Sequence, residues 1–144
     1  MAGPKLTGFK ELEKKLNALG VQAGTKVMRQ AASAAMNIVV KEARAKAPVG
    51  SEAHKTHKGR TVAPGFLGRN IKKLSRVSKS KGTALIFVGP SSEAYYGSQF
   101  VEVGTKNMAA QPWLEPAYES KNSQVVDRYG DELRKRIKKV ASKR

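Results

Sequence analysis

The stretch YYGSQFVEVGTKNMAAQPWLEPA, residues 95–117, is the part of the chain from which the rest is read. Tyr95, Tyr96, Phe100 and Trp113 fall inside it, and Tyr118 lies just beyond. Phe100, Val101 and Val103 surround a single carboxylate, Glu102, and Gly104 then opens the left-handed region of backbone space. A compact element therefore stops in a tight turn at Gly104-Thr105, where the chain reverses. Pro112 holds Gln111 extended, and Pro116 does the same for Glu115, so Trp113 is carried on a stiff segment that leads into a helix. A tryptophan held in this way either plugs the core where the last helix docks or makes an intermolecular contact. Glu102 has two readings as well. It pairs with an Arg or Lys of a neighbouring protomer, or it caps the backbone N–H groups of Gly104-Thr105 within its own chain.

Outward from this stretch, the N-terminal part reads as two helices. Phe9, Leu12, Leu16 and Leu19 recur at helical spacing behind Thr7 as cap, with Gly20 at the C′ position. Thr25 is the expected cap of a second helix that runs to about Ala47 and is halted by Pro48. One broad face of that helix carries Met28, Ala31, Ala32, Ala35, Ile38, Val39 and Ala43, a stripe suited to internal packing or to a helix pair across a subunit boundary. Residues 49–65 show no apolar period and are rich in Gly, Ser, Pro and basic groups, which predicts a long mobile basic loop.

Phe66-Leu67-Gly68-Arg69-Asn70-Ile71 opens the β part. Lys79-Ser80-Lys81-Gly82 is a hairpin turn, and Thr83–Val88 is the clearest strand, ended by Gly89-Pro90. Its near-continuous apolar run predicts a strand covered on both faces, by helices or by a neighbouring subunit. Phe100–Val103 suits either a strand or a helical turn. The last helix starts near Trp113 or Leu114 and carries Tyr118, Val125, Tyr129, Leu133, Ile137 and Val140 as a narrow stripe. Gly130 interrupts it, and Arg134-Lys135-Arg136 with Lys138-Lys139 sit where a helix C-terminus favours positive charge.

Together, Tyr95…Phe100-Val101-Glu102-Val103-Gly104-Thr105…Ala110-Gln111-Pro112-Trp113-Leu114-Glu115-Pro116-Ala117 resembles the signature of the small tail-completion, or head-to-tail joining, proteins of long-tailed bacteriophages. Ala47-Pro48-Val49-Gly50 and Phe66–Ile71 are similar to the same family's upstream segment. Val103 stands where the family usually has an aromatic, Trp113 replaces a commoner Phe, Gly97 and Ser98 replace a small residue and a His or aromatic, and about fifteen residues of basic loop separate Pro48 from Leu67. The resemblance favours a short helical piece around Tyr95–Glu102. It implies an α+β fold with two N-terminal helices, a small antiparallel sheet drawn mainly from residues 70–103, and a long C-terminal helix in one domain over 1–144.

Composition narrows the function. The 144 residues contain no cysteine, which excludes disulfides, thiolate metal sites and cysteine nucleophiles. No apolar run reaches the length of a membrane span, and the N-terminus lacks the pattern of a signal peptide. The two histidines, His54 and His57, have lysines for neighbours and fall far short of a zinc signature. No phosphate-cradling loop, nucleophile elbow or paired carboxylates appear, so neither an enzyme nor a cofactor is expected. Of the net charge of +17, residues 41–82 carry +10, whereas residues 83–118 carry −2. The aromatic stretch is thus suited to protein contact, and the loop carries the field.

Two functions remain open. In the first, which the resemblance implies, the protein is a virion subunit that completes the tail and joins it to the head as a ring, six-fold to match a tail. It would be assembled in the host cytoplasm and set at the neck. Its partners are further copies of itself, a tail-terminator or tail-tube protein, and a head-closure or portal-side connector. The interface and signature residues are Tyr95, Phe100, Glu102, Gly104, Thr105, Pro112 and Trp113. In the second, it binds nucleic acid without sequence preference. Lys55, Lys58, Arg60 and Arg69 would then contact DNA, as they would an acidic partner or passing DNA in the first.

Overall fold

A computed structural model describes residues 8–78 and 80–143, with Tyr96 described in its backbone alone. The elements are α1 (Phe9–Leu19), α2 (Val21–Lys46), β1 (His54–Lys55), β2 (Thr61–Val62), α3 (Phe66–Arg69), β3 (Ile71–Ser78), β4 (Thr83–Pro90), α4 (Ser92–Val103) and α5 (Leu114–Ser142). The fold is α+β, with N-terminal helices, two small antiparallel sheets and a long C-terminal helix. The sheets are β1 with β2 and β3 with β4. Two compact units divide the chain. One comprises the chain up to Ile38, Leu74–Phe87 and the chain from Asn122 on; the other comprises Val39–Lys73 and Val88–Lys121.

The first unit is built on helix-to-helix burial. Leu12 and Leu19 of α1, Val27 and Ala31 of α2, and Leu133 and Ile137 of α5 are buried together, with Leu16, Met28, Tyr129 and Val140 packed against them. Phe9 opens the expected stripe but is exposed. Thr7, the expected cap of α1, lies outside the described residues, and the cap position is Gly8. At Gly20, φ is 86° and the N–H bonds to the Asn17 carbonyl, so α1 closes and α2 starts at once with Val21. Thr25 is therefore one turn inside α2 and does not cap it. Its hydroxyl donates to the Val21 carbonyl at 2.6 Å, the back-bond open to a threonine within a helix. Glu132 is buried on α5 and lies within ion-pair distance of two arginines, Arg128 at 3.0 Å and Arg136 at 3.1 Å.

The second unit surrounds shorter pieces. Within 49–65, His54 pairs with Val62 and Lys55 with Thr61, and Gly59 turns the chain with φ 84°. Phe66 does not open a strand. It begins the single turn of α3, and Asn70 closes that turn by donating from Nδ2 to the Phe66 carbonyl at 2.8 Å. Val62, Phe66 and Ala94 form one buried group. Elsewhere in this unit Ile71, Val88, Ala43, Trp113 and Ala117 are buried, and Tyr118 exchanges two hydrogen bonds with the backbone of Val88.

Of the two faces of β4, the described residues of the chain cover one. Its apolar run alternates between half-covered and exposed positions, leaving Leu85 at 56% and Phe87 at 47% exposed. One face of the strand is therefore uncovered within the described residues. Lys79 of the expected turn lies outside them.

Trp113 is 1% exposed, and its indole Nε1–H is buried with no hydrogen-bond partner among the described residues. Burial of the ring stabilises this unit, while the orphan donor costs free energy. Trp113→Ala is expected to lower unfolding free energy by about 3–5 kcal/mol. Trp113→Phe should cost much less, because it removes the unsatisfied donor with part of the ring. Urea unfolding of the two variants measures the difference.

Candidate functional site

The signature residues converge on the junction between α4 and α5. α4 ends at Val103, and Gly104 takes φ 78° with its N–H bonded to the Phe100 carbonyl. A Cβ at Gly104 would stand 2.8 Å from the Ala110 nitrogen and 3.0 Å from the Met108 carbonyl oxygen. Only glycine meets both the dihedral and the space. Thr105 donates its N–H to the Met108 carbonyl at 2.8 Å and accepts from the Met108 N–H at 3.2 Å, closing the turn. Gln111 N–H then bonds to the Val101 carbonyl, and Pro112 delivers Trp113 to the start of α5.

Glu102 completes the junction. Its Oε2 accepts from the N–H groups of Trp113 at 2.8 Å and Leu114 at 3.1 Å, and its Oε1 accepts from Glu115 at 3.0 Å. The intramolecular alternative is the one seen, but the donors are at α5 and not at Gly104-Thr105. A 29-residue helix begins with free N–H groups and a positive dipole end, and no Ser, Thr, Asp or Asn precedes Leu114 to cap it. A carboxylate eleven residues upstream does so instead. Partial burial pushes the Glu102 carboxyl up, and the three backbone donors together outweigh that and hold it below the usual range.

α4 has two sides. Ala94, Gly97, Ser98 and Val101 line a groove of about 650 Å³ that also includes Phe66, Leu67, His54 and Val49. Glu93 closes one part of it, accepting from Thr56 Oγ1 at 2.9 Å and from Arg60 at 2.8 Å. The Thr56 hydroxyl, then the Arg60 charge, hold the Glu93 carboxyl below its ordinary value against the opposing effect of desolvation. On the other side Tyr95 is 56%, Phe100 40% and Val103 69% exposed. These apolar side chains of α4 are thus left in water.

The basic residues divide in two. Arg60 also lies over the Phe66 ring, 5.6 Å from its centroid, and Arg69 donates to the carbonyls of Pro64 and Ala63. Both guanidinium groups thus hold the 49–65 segment in shape. Lys55 and Lys58 are exposed to solvent. Among the described residues no three His, Cys, Asp or Glu side chains are grouped to hold a metal, and no helix is long and apolar enough to cross a membrane.

Specialised residues that fix backbone shape and present apolar side chains are the equipment of a small structural subunit. The chain belongs to the family described as "Bacteriophage HK97-gp10, putative tail-component", which matches residues 10–104, and it is a structural component of the phage tail. The matched range includes Glu102 and Gly104; Pro112 and Trp113 lie beyond it. No curated protein and no solved structure matches the chain.

The depressed carboxyl pKa of Glu102 sets a pH dependence. Stabilisation by the cap is fully present above the unfolded value of about 4.3 and is lost as pH falls through the lower folded value. Glu102→Gln should lower unfolding free energy by about 1 kcal/mol at neutral pH, and the gap from the parent should close in acid. Denaturant titrations across that range check both.

Proposed function

We propose that this tail component completes the tail and joins it to the filled head, acting as a ring of copies at the neck. The observation that carries this reading is the outer face of α4. Tyr95, Phe100 and Val103 are exposed in a chain whose polar surface is otherwise ample. They lie in a region with no Lys, Arg or His from Gly82 to Thr105, although the chain has 28 Lys and Arg. A patch cleared of the prevailing charge suits protein contact, since like charges facing one another across an interface oppose it.

Joining in this account works by shape and assembly, without covalent chemistry. A closed ring needs two different patches on each copy, one meeting the other on its neighbour. Six copies would match the symmetry of a tail. One surface of the ring meets the tail-terminator or tail-tube protein and the other meets the head-closure or portal-side connector. The subunits assemble in the host cytoplasm. Lys55 and Lys58 supply sequence-independent contact with passing DNA, a secondary role beside protein contact.

Phage unable to make this chain should accumulate filled heads and separate tails in electron micrographs of lysates. Charge reversal at Lys55 and Lys58 should leave joining intact. Joined particles in the first case would overturn the reading. Loss of joining in the second, with duplex binding by the isolated chain that falls steeply with salt, would move the function to nucleic acid.

A further inference from the structure

We infer that the ring contact, if copies assemble as proposed above, seats the exposed β3–β4 face of one copy on the outer face of α4 in the next. The inference rests on that assembly reading and names its two surfaces.

The first surface lies on the hairpin. Leu85 and Phe87, two residues apart on β4, project from the same face of the strand, and Leu74 on β3 is 58% exposed. Arg76 and Lys81, both exposed, flank these residues. The surface is therefore flat, apolar and positively charged.

The second surface is the α4 face. At 100° per residue, Tyr95 and Val103 fall within one quadrant of the helix with the exposed Gln99 between them, and Phe100 lies beside Val103. No basic residue of α4 accompanies them. Charge at the helix end is mixed, with Lys106 exposed in the turn three residues after Val103 and Glu115 across from it. Glu102 receives the Glu115 N–H, which brings the exposed Glu115 to the Val103 end of α4. This surface is convex, apolar and bordered by charge of both signs.

The two patches differ in shape and in the charge of their borders, wholly basic on the hairpin and mixed at α4, and this sets the pairing. Hairpin against hairpin would set Arg76 and Lys81 of one copy on those of the other. α4 against α4 would set together two convex faces whose borders each carry both Glu115 and Lys106, with no excess of opposite charge to draw them together. Hairpin against α4 buries Phe87 and Leu85 on Tyr95 and Val103, with Arg76 placed to meet Glu115. Such a contact is head-to-tail, so each copy keeps one free patch of each kind until the ring closes.

The absence of cysteine makes the test direct. Phe87→Cys and Val103→Cys are made in separate chains, checked for native circular dichroism, and treated with a short bismaleimide cross-linker singly and mixed. The contact predicts a covalent dimer in the mixture and none in either variant alone, with a ladder of multimers when one chain carries both changes. In parallel, Arg76→Glu should weaken association about tenfold, and adding Glu115→Arg in the same chain should restore it. Equal cross-linking by Phe87→Cys alone would overturn the pairing. A wild-type chain that sediments as an oligomer while the mixture stays uncross-linked would overturn it and leave the assembly reading standing. A chain that is monomeric alone and in cross-linked phage particles would overturn both.

Discussion

The carboxylate of Glu102 on the first N–H groups of α5 is the interaction on which this protein's specialised region depends. It ties the end of one helix to the beginning of another across a turn of about ten residues. Several sequence features exist to make that reach possible. Gly104 turns the chain where no Cβ could stand. The paired backbone bonds of Thr105 and Met108 close the loop, and the Gln111 N–H on the Val101 carbonyl brings the chain back to α4. Trp113 then enters the interior as α5 starts, so the cap and the largest buried ring of the unit are neighbouring residues. A remote carboxylate does more here than a local Ser or Asp cap could, because it fixes the relation of two helices as well as satisfying donors.

That junction leaves α4 held from one side only. Small residues, Ala94, Gly97 and Ser98, occupy the groove side, while the large apolar side chains point to water. The charge distribution follows the same division. Arg60 and Arg69, which composition alone would assign to a partner, are engaged with Glu93, the Phe66 ring and nearby carbonyls. Part of the excess positive charge is thus structural, and the apolar side chains of α4 and β4 remain exposed within the described residues.

Much of this was legible in the residues. Gly104, Pro112 and Trp113 announce a turn, a stiff approach and an anchor through backbone physics, and each is found in that role. The apolar spacings of α1, α2 and α5 marked their buried faces because a 3.6-residue period has few other causes. The misreadings have physical reasons. Thr25 looked like a cap, but Gly20 ends α1 with no linker, so α2 begins earlier without a side-chain cap. Of the two readings of Glu102, an ion pair to a neighbouring protomer or a cap on Gly104-Thr105, the intramolecular one takes other donors, because the turn returns the chain and offers three N–H groups at α5. The apolar run of β4 calls for cover on both faces, by helices or by a neighbouring subunit, and composition cannot tell which of the two serves the face that the described residues leave open. Glu132 gave no signal, since its arginine partners at i±4 resemble ordinary surface pairs until burial is seen.

The central claim is that the aromatic and aliphatic side chains on the outside of α4 are exposed in the single subunit because other protein covers them in the particle. Hydroxyl-radical footprinting of Tyr95 and Phe100, on the purified subunit and on the same chain in intact phage, measures that coverage directly. Strong modification of both in the free subunit and marked protection in the particle is the predicted result. Equal modification in the two states would contradict the account.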